Sequence, residues 1–136
     1  GKNMQDANYK MMKTNKQLIG IDLFAGAGGL SLGAEMAGIS MRYAVEADAY
    51  AAASYKRNFK NATVFCEDIR KLSADKLNTQ PVFIIMGGPP CQGFSLSNTK
   101  TRDMSNPNNR MFEEFLRFVD KIAPTWFVFE NVYVVF

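Results

Sequence analysis

Apolar and polar positions along this chain fall into blocks, and the period changes from block to block. Residues 1–16 are polar and aperiodic. From Gln17 onward, short apolar runs alternate with stretches whose apolar residues recur at helical spacing. Leu18 to Phe24 predicts a buried strand, and a glycine cluster follows it. Leu30 to Ala37 predicts a helix that Gly38 terminates. Met41 to Val45 predicts a second strand that ends at Glu46. Asp48 is placed to cap a helix running to Phe59, with Ala51, Ala52, Tyr55 and Phe59 as its apolar stripe. Ala62 to Cys66 predicts a third strand, with Cys66 as a small core residue. Glu67 and Asp68 come next, and Ile69 to Leu77 predicts a short helix. Val82 to Met86 is apolar throughout, as a central parallel strand is. Gly87 to Asn109 is polar and rich in Gly, Pro, Ser and Asn. Inside a compact domain so long an aperiodic segment is a functional loop or a disordered one. Met111 to Ile122 returns to helical spacing, Pro124 breaks it, and Trp126 to Phe129 predicts a fifth strand before Glu130.

Strands alternating with helices predict an α/β fold with a doubly wound, mainly parallel sheet. The expected organisation is a flexible basic tail over 1–16 and one domain over 17–136.

Composition narrows the chemistry. Hydrophobic residues make up 47% and charged residues 21%, which is a globular balance. Histidine is absent, so Ser-His-Asp and Cys-His triads and most zinc sites are excluded, and no metal site is expected. Two cysteines do not make a disulfide scaffold, and no charged-then-apolar leader is visible. A reducing intracellular setting is the expectation. The net charge of +3 belongs to the tail, where Lys2, Lys10, Lys13 and Lys16 stand against Asp6 alone. By charge alone the remaining chain is not a nucleic-acid surface.

Ligands of doubly wound sheets bind beyond the carboxyl ends of the strands. The unusual residues here fall at those ends. The first strand leads into Phe24-Ala25-Gly26-Ala27-Gly28-Gly29, a turn that lets a ligand approach the backbone. Ser31 stands where a dinucleotide fingerprint would need its third glycine. Glu46 ends the second strand, where a carboxylate can accept from both hydroxyls of a ribose. Turn and acid together point to an adenosine-containing ligand. Asp68 suits either an adenine amino group or the cap of the next helix. Cys91 follows Gly87-Gly88-Pro89-Pro90 and opens the long polar segment, a placement that favours an accessible, ionisable thiol. Glu130 ends an apolar strand, where a carboxyl group is partly desolvated and suited to donate a proton. A capping or salt-bridged acid is the alternative for Glu130.

These motifs, in this order, resemble the amino-terminal half of the cytosine-C5 DNA methyltransferases, from Leu18 to Val132. Asp22-Leu23-Phe24-Ala25-Gly26-Ala27-Gly28-Gly29-Leu30 looks like the family's first motif. Gly87-Gly88-Pro89-Pro90-Cys91-Gln92-Gly93-Phe94-Ser95 looks like its catalytic motif, and Glu130-Asn131-Val132 like its second catalytic motif. The resemblance implies a Rossmann-like fold of the S-adenosylmethionine-dependent methyltransferase type, here incomplete. It implies S-adenosylmethionine held by Phe24, Ala25, Gly26, Gly28, Gly29, Glu46, Ala47, Asp68, Ile69, Pro90 and Met111, where Met111 stands in place of the usual leucine. It implies Cys91 as nucleophile and Glu130 as its catalytic partner. Gln92, Ser95 and Ser97 would face double-stranded DNA, in a segment made locally basic by Lys100, Arg102 and Arg110 against Asp103. A bacterial cytoplasm is the implied setting ahead of a nucleus, and a restriction-modification system the implied context.

The family's Gln-x-Arg-x-Arg motif, target-recognition region and last cofactor segment are not in this sequence. Three expectations stay open: a truncated chain, one half of a split enzyme that needs a complementing chain, or a remnant that only binds cofactor or a partner. Other functions stay open as well, namely an RNA cytosine-5 methyltransferase and a nucleotide-dependent oxidoreductase.

Overall fold

The structure, a computed structural model, describes residues 17–77, 81–89 and 110–130. The elements run β1 (Leu18–Leu23), α1 (Gly29–Met36), β2 (Ile39–Val45), α2 (Ala49–Asn58), β3 (Thr63–Phe65), β4 (Ile84–Gly87), α3 (Arg110–Ile122) and β5 (Trp126–Phe129). The five strands form one sheet in the order β3-β2-β1-β4-β5, and every pairing is parallel. The chain starts at the central strand, builds outward through β2 and β3, then crosses back to β4 and β5. That reversal is the doubly wound pattern, and it places a crevice beyond the ends of β1 and β4.

Alternation along the strands separates two cores. Ile21, Leu23, Val45 and Ile85 pack on one face with Ile69, Leu72, Phe115 and Phe118. On the other, Ala44 packs with Tyr55 and Phe59 of the α2 region, and Met41 and Met86 pack with Ala34 of α1. Phe115 and Phe118 are wholly buried, so α3 is anchored by its apolar stripe. Asp48 caps α2 by accepting from the Ala51 N–H at 2.8 Å, as its position in the sequence predicts.

Two local expectations are corrected. The helix predicted over Ile69 to Leu77 is instead two separate 3-10 turns, Ile69–Lys71 and Ala74–Lys76. The Asp68 side chain accepts from the Arg70 N–H, and the Ser73 hydroxyl accepts from the Asp75 N–H. Each side chain starts its own turn, so no continuous helical ladder forms. Cys66 is exposed, not a core residue. It lies just past β3, an edge strand, and its Sγ reaches only the Ala47 carbonyl at 3.9 Å. The expected tail lies outside the described residues.

Candidate functional site

A cleft of about 440 Å³ opens at the carboxyl ends of the strands. Phe24 and Gly26 line it after β1, Val45, Glu46 and Ala47 at β2, and Glu67, Asp68 and Ile69 beyond β3. Gly88 comes from the end of β4 and Met111 from α3. The structure therefore brings Phe24, Gly26, Glu46, Ala47, Asp68, Ile69 and Met111 together around one cavity. Ala25, Gly28 and Gly29 do not line it. Ala25 is buried and donates its N–H to the Val45 carbonyl at 3.0 Å, while Gly28 packs inward and Gly29 begins α1. Pro90, Cys91, Gln92, Ser95 and Ser97 lie outside the described residues.

The wall after β1 is sharply bent. Phe24 has φ 59°, and Gly26 and Gly28 also have positive φ. A phenylalanine in the left-handed region is unusual and marks a backbone held by its surroundings. Glu46 supplies part of that hold. Its Oε1 accepts the Gly26 N–H at 2.8 Å, and its Oε2 accepts the Asp48 N–H at 2.7 Å. One carboxylate thus ties the glycine turn to the entry of α2. Each oxygen keeps a further lone pair for a ligand hydroxyl.

Of the two roles weighed for Asp68, the structure shows the cap. Asp68 caps the turn that follows, and it lines the cleft. A forked ion pair with Arg70 holds its carboxyl down to about 2. Glu130 lies beside the cleft. Its N–H donates to the Gly87 carbonyl at 2.9 Å, and a Cβ at Gly88 would sit 3.6 Å from its Oε2. Its partial desolvation is not borne out, for Glu130 is exposed. It leaves β5, the edge of the sheet, and no described element covers it.

A profile described as C-5 cytosine-specific DNA methylase matches residues 18–135. The chain belongs to that family. It is 47% identical over 114 residues to the type II methyltransferase M.DdeI of Desulfomicrobium norvegicum, covering 82% of this chain and 27% of that protein. It is 42% identical over 117 residues to M1.HphI of Haemophilus parahaemolyticus, covering 82% and 32%. Among solved structures it matches a prophage-encoded E. coli protein described as a DNA modification methyltransferase. There the TM-score is 0.72 at 39% identity, with 85% of this chain and 32% of the other covered. This C-5 cytosine methylase chain thus spans about a third or less of the relatives named. Among its described residues no helix is long and apolar enough to cross a membrane.

Sequence reasoning missed Val45, Glu67 and Gly88 as lining residues, although each stands beside or within a motif it singled out. It also missed a buried polar cluster behind the cleft. Asp22 is 1% exposed, in register between Ala44 of β2 and Met86 of β4. Ser31 Oγ donates to Asp22 Oδ2 at 2.6 Å and lies 2.7 Å from the Tyr55 hydroxyl. The serine has one proton, so Tyr55 donates to Ser31. Among the described residues Asp22 Oδ1 has no partner. Burial, with Glu46 adding repulsion, raises the Asp22 carboxyl to about 6 despite the Ser31 bond.

The raised value has a consequence for stability. The unfolded chain releases this proton at the usual carboxylate value, while the folded chain holds it longer. Asp22 therefore stabilises the fold at low pH, and that contribution is lost as pH rises from about 4 through about 6. A shift of about two units corresponds to roughly 3 kcal/mol. Asp22→Asn should unfold in urea with about that much less loss between about pH 4 and about pH 7.5 than the unmodified chain. Parallel pH profiles would refute the assignment.

Proposed function

We propose that this chain is the cofactor-binding and catalytic portion of a DNA cytosine-C5 methyltransferase that takes its methyl group from S-adenosylmethionine. The observation that supports this best is the cleft at the carboxyl ends of the strands. Of the residues that the family resemblance assigns to the cofactor, Phe24, Gly26, Glu46, Ala47, Asp68, Ile69 and Met111 line one cavity of a size suited to a small ligand. Glu46 stands ready for the ribose hydroxyls, Asp68 for the adenine amino group, and Phe24 for the adenine face. The lining carboxylates of Glu46, Glu67 and Asp68 accept hydrogen bonds, and they suit a purine amino group and a diol better than a pyrophosphate.

Double-stranded DNA is the proposed substrate. The target cytosine leaves the stack, because its ring is out of reach inside a duplex. The Cys91 thiolate adds to C6 and forms a C–S bond. Glu130 holds the N3 edge, so that ring charge is stabilised as the bond forms. S-adenosylmethionine, when bound, would supply the methyl group to C5, its S–CH3 bond breaking to leave S-adenosylhomocysteine. A base then takes the C5 proton, the C–S bond breaks and Cys91 departs as thiolate. Gln92, Ser95 and Ser97 are proposed to face the DNA.

The exposure of β5 is what supports a complementing partner in this reading. Trp126, Phe127 and Val128 of β5 are 63%, 50% and 47% exposed, and among the described residues β5 pairs with β4 alone. Parallel sheets are normally covered on both faces. We assign this edge to a polypeptide carrying the carboxy-terminal portion of a C-5 cytosine methylase.

Calorimetric titration with S-adenosylhomocysteine, with NAD as control, tests the cofactor assignment. Heat with the first and none with the second is expected; the reverse refutes the reading. With the complementing polypeptide added, methyl transfer to cytosine should appear. Cys91→Ser should then remove it by three orders of magnitude or more, and Glu130→Gln should slow it about 100-fold. Cofactor binding without transfer in the reconstituted pair would favour a remnant that only binds.

A further inference from the structure

Arg117 makes contacts that neither the cleft lining nor the motifs assign to a function. It stands on α3, the helix that carries Met111 into the cleft. Its Nη2 uses both protons on backbone carbonyls, Ile69 O at 2.8 Å and Leu72 O at 3.0 Å. Its Nε donates to Glu114 Oε2 at 2.7 Å, and its guanidinium lies 4.7 Å from the centre of the Phe118 ring. Glu114 and Phe118 fix the orientation of the fork, and the fork then grips the backbone of a distant segment.

That segment is the 3-10 turn Ile69–Lys71, which Asp68 precedes. The two carbonyls that Arg117 holds bracket it. Inside the turn the Lys71 N–H donates to the Asp68 carbonyl at 2.9 Å, but the Leu72 N–H reaches the Ile69 carbonyl only at 3.3 Å, so the turn's C-terminal side is the weaker one. Asp68 and Ile69 line the cleft on one side of this grip, and Met111 joins them from α3.

We propose that Arg117 is a positioning residue that fixes Asp68 and Ile69 relative to Met111, and so shapes the part of the cleft that distinguishes an adenine from a 6-oxopurine. The inference rests on the cofactor reading above. Arg117 touches no ligand; it acts through the backbone it holds. A lysine is a poor substitute, because its single nitrogen lacks the planar fork that directs Nε to Glu114 and Nη2 to the two carbonyls.

The test is calorimetry on the full chain with S-adenosylhomocysteine and with S-inosylhomocysteine, its 6-oxo analogue. Arg117→Lys should bind S-adenosylhomocysteine about 10-fold more weakly, and its preference over the 6-oxo analogue should shrink several-fold. Circular dichroism reports whether the variant is folded. Should Arg117→Lys not fold, Glu114→Ala decides: it frees the guanidinium without removing it and should shrink the preference in the same direction. Equal weakening toward both ligands would mean a role in general stability and overturn the inference. Unchanged affinity and preference in a folded variant would overturn it too. An unmodified chain that binds neither ligand would refute the cofactor reading itself, and the inference with it.

Discussion

Glu46→Ala is expected to weaken S-adenosylhomocysteine binding about 100-fold, roughly 2.7 kcal/mol. Two losses add up to that figure. The first is direct: hydrogen bonds from ligand hydroxyls to a carboxylate are each worth about 1.5–3 kcal/mol. The second is a loss of preorganisation. Glu46 accepts from the Gly26 and Asp48 amides at 2.8 and 2.7 Å, so its removal releases the glycine turn from the start of α2. Glu46→Gln separates the two. An amide oxygen can keep one backbone bond, so the glutamine variant should lose only about 10-fold. Calorimetry with an analogue that lacks the ribose hydroxyls gives a further control. Its binding should fall much less than that of S-adenosylhomocysteine in the alanine variant. If both ligands fall alike, Glu46 supports the loop and does not hold the ribose.

Gly28→Ala is the second large effect, and it acts on the fold first. Gly28 has φ 105°, a conformation that an alanine adopts only under strain. Its N–H donates to the Ala25 carbonyl at 3.0 Å, and its carbonyl accepts from Leu32 at 2.9 Å, so the backbone cannot easily rotate away. A Cβ there would lie 2.3 Å from Cε2 of Phe59 and 3.0 Å from Cδ2 of Tyr55. Both rings are buried, and their centroids are 4.4 Å apart. The left-handed backbone costs roughly 1–2 kcal/mol and the overpacking roughly 1–3 kcal/mol. A loss of about 3 kcal/mol should lower the thermal midpoint by on the order of 10 °C. Differential scanning calorimetry measures it. A midpoint within 2–3 °C of the unmodified chain, roughly the effect of under 1 kcal/mol, would show that the turn relaxes and that the glycine is not needed there.

Gly28 also shows how sequence and structure divide the explanation. The glycine cluster reads as a ligand-binding turn, and Gly26 does line the cleft. Gly28 does not. It is a glycine because two aromatic rings of the neighbouring core leave no room for a side chain. A glycine for a ligand and a glycine for a ring look the same in a sequence. Cys66 teaches a related lesson. Its apolar neighbours suggest a buried strand residue, but β3 is a short edge strand and the thiol is exposed. Hydrophobic runs report the strand and not its rank in the sheet. The segment after Asp68 has helical composition, yet Asp68 and Ser73 each capture an N–H two residues on and divide it.

The sequence by itself determined the order of strands and helices, the α/β class, the family, and the acids and glycines at the strand ends. These are local signals: a period of two or 3.6, a cap, or a motif within a few residues. The rim at which a cleft could form was readable too, because parallel topology sends every strand end to one side. Only the tertiary structure decided which of those residues share a cavity. It alone revealed the Asp22–Ser31–Tyr55 cluster and the grip of Arg117 on the backbone at Ile69 and Leu72. Such contacts join residues far apart in the chain, the last pair across 48 and 45 positions. No local period encodes them. They exist because the packing of α1, α2 and α3 on the sheet brings particular side chains within hydrogen-bond reach, where burial makes an unmet polar group costly.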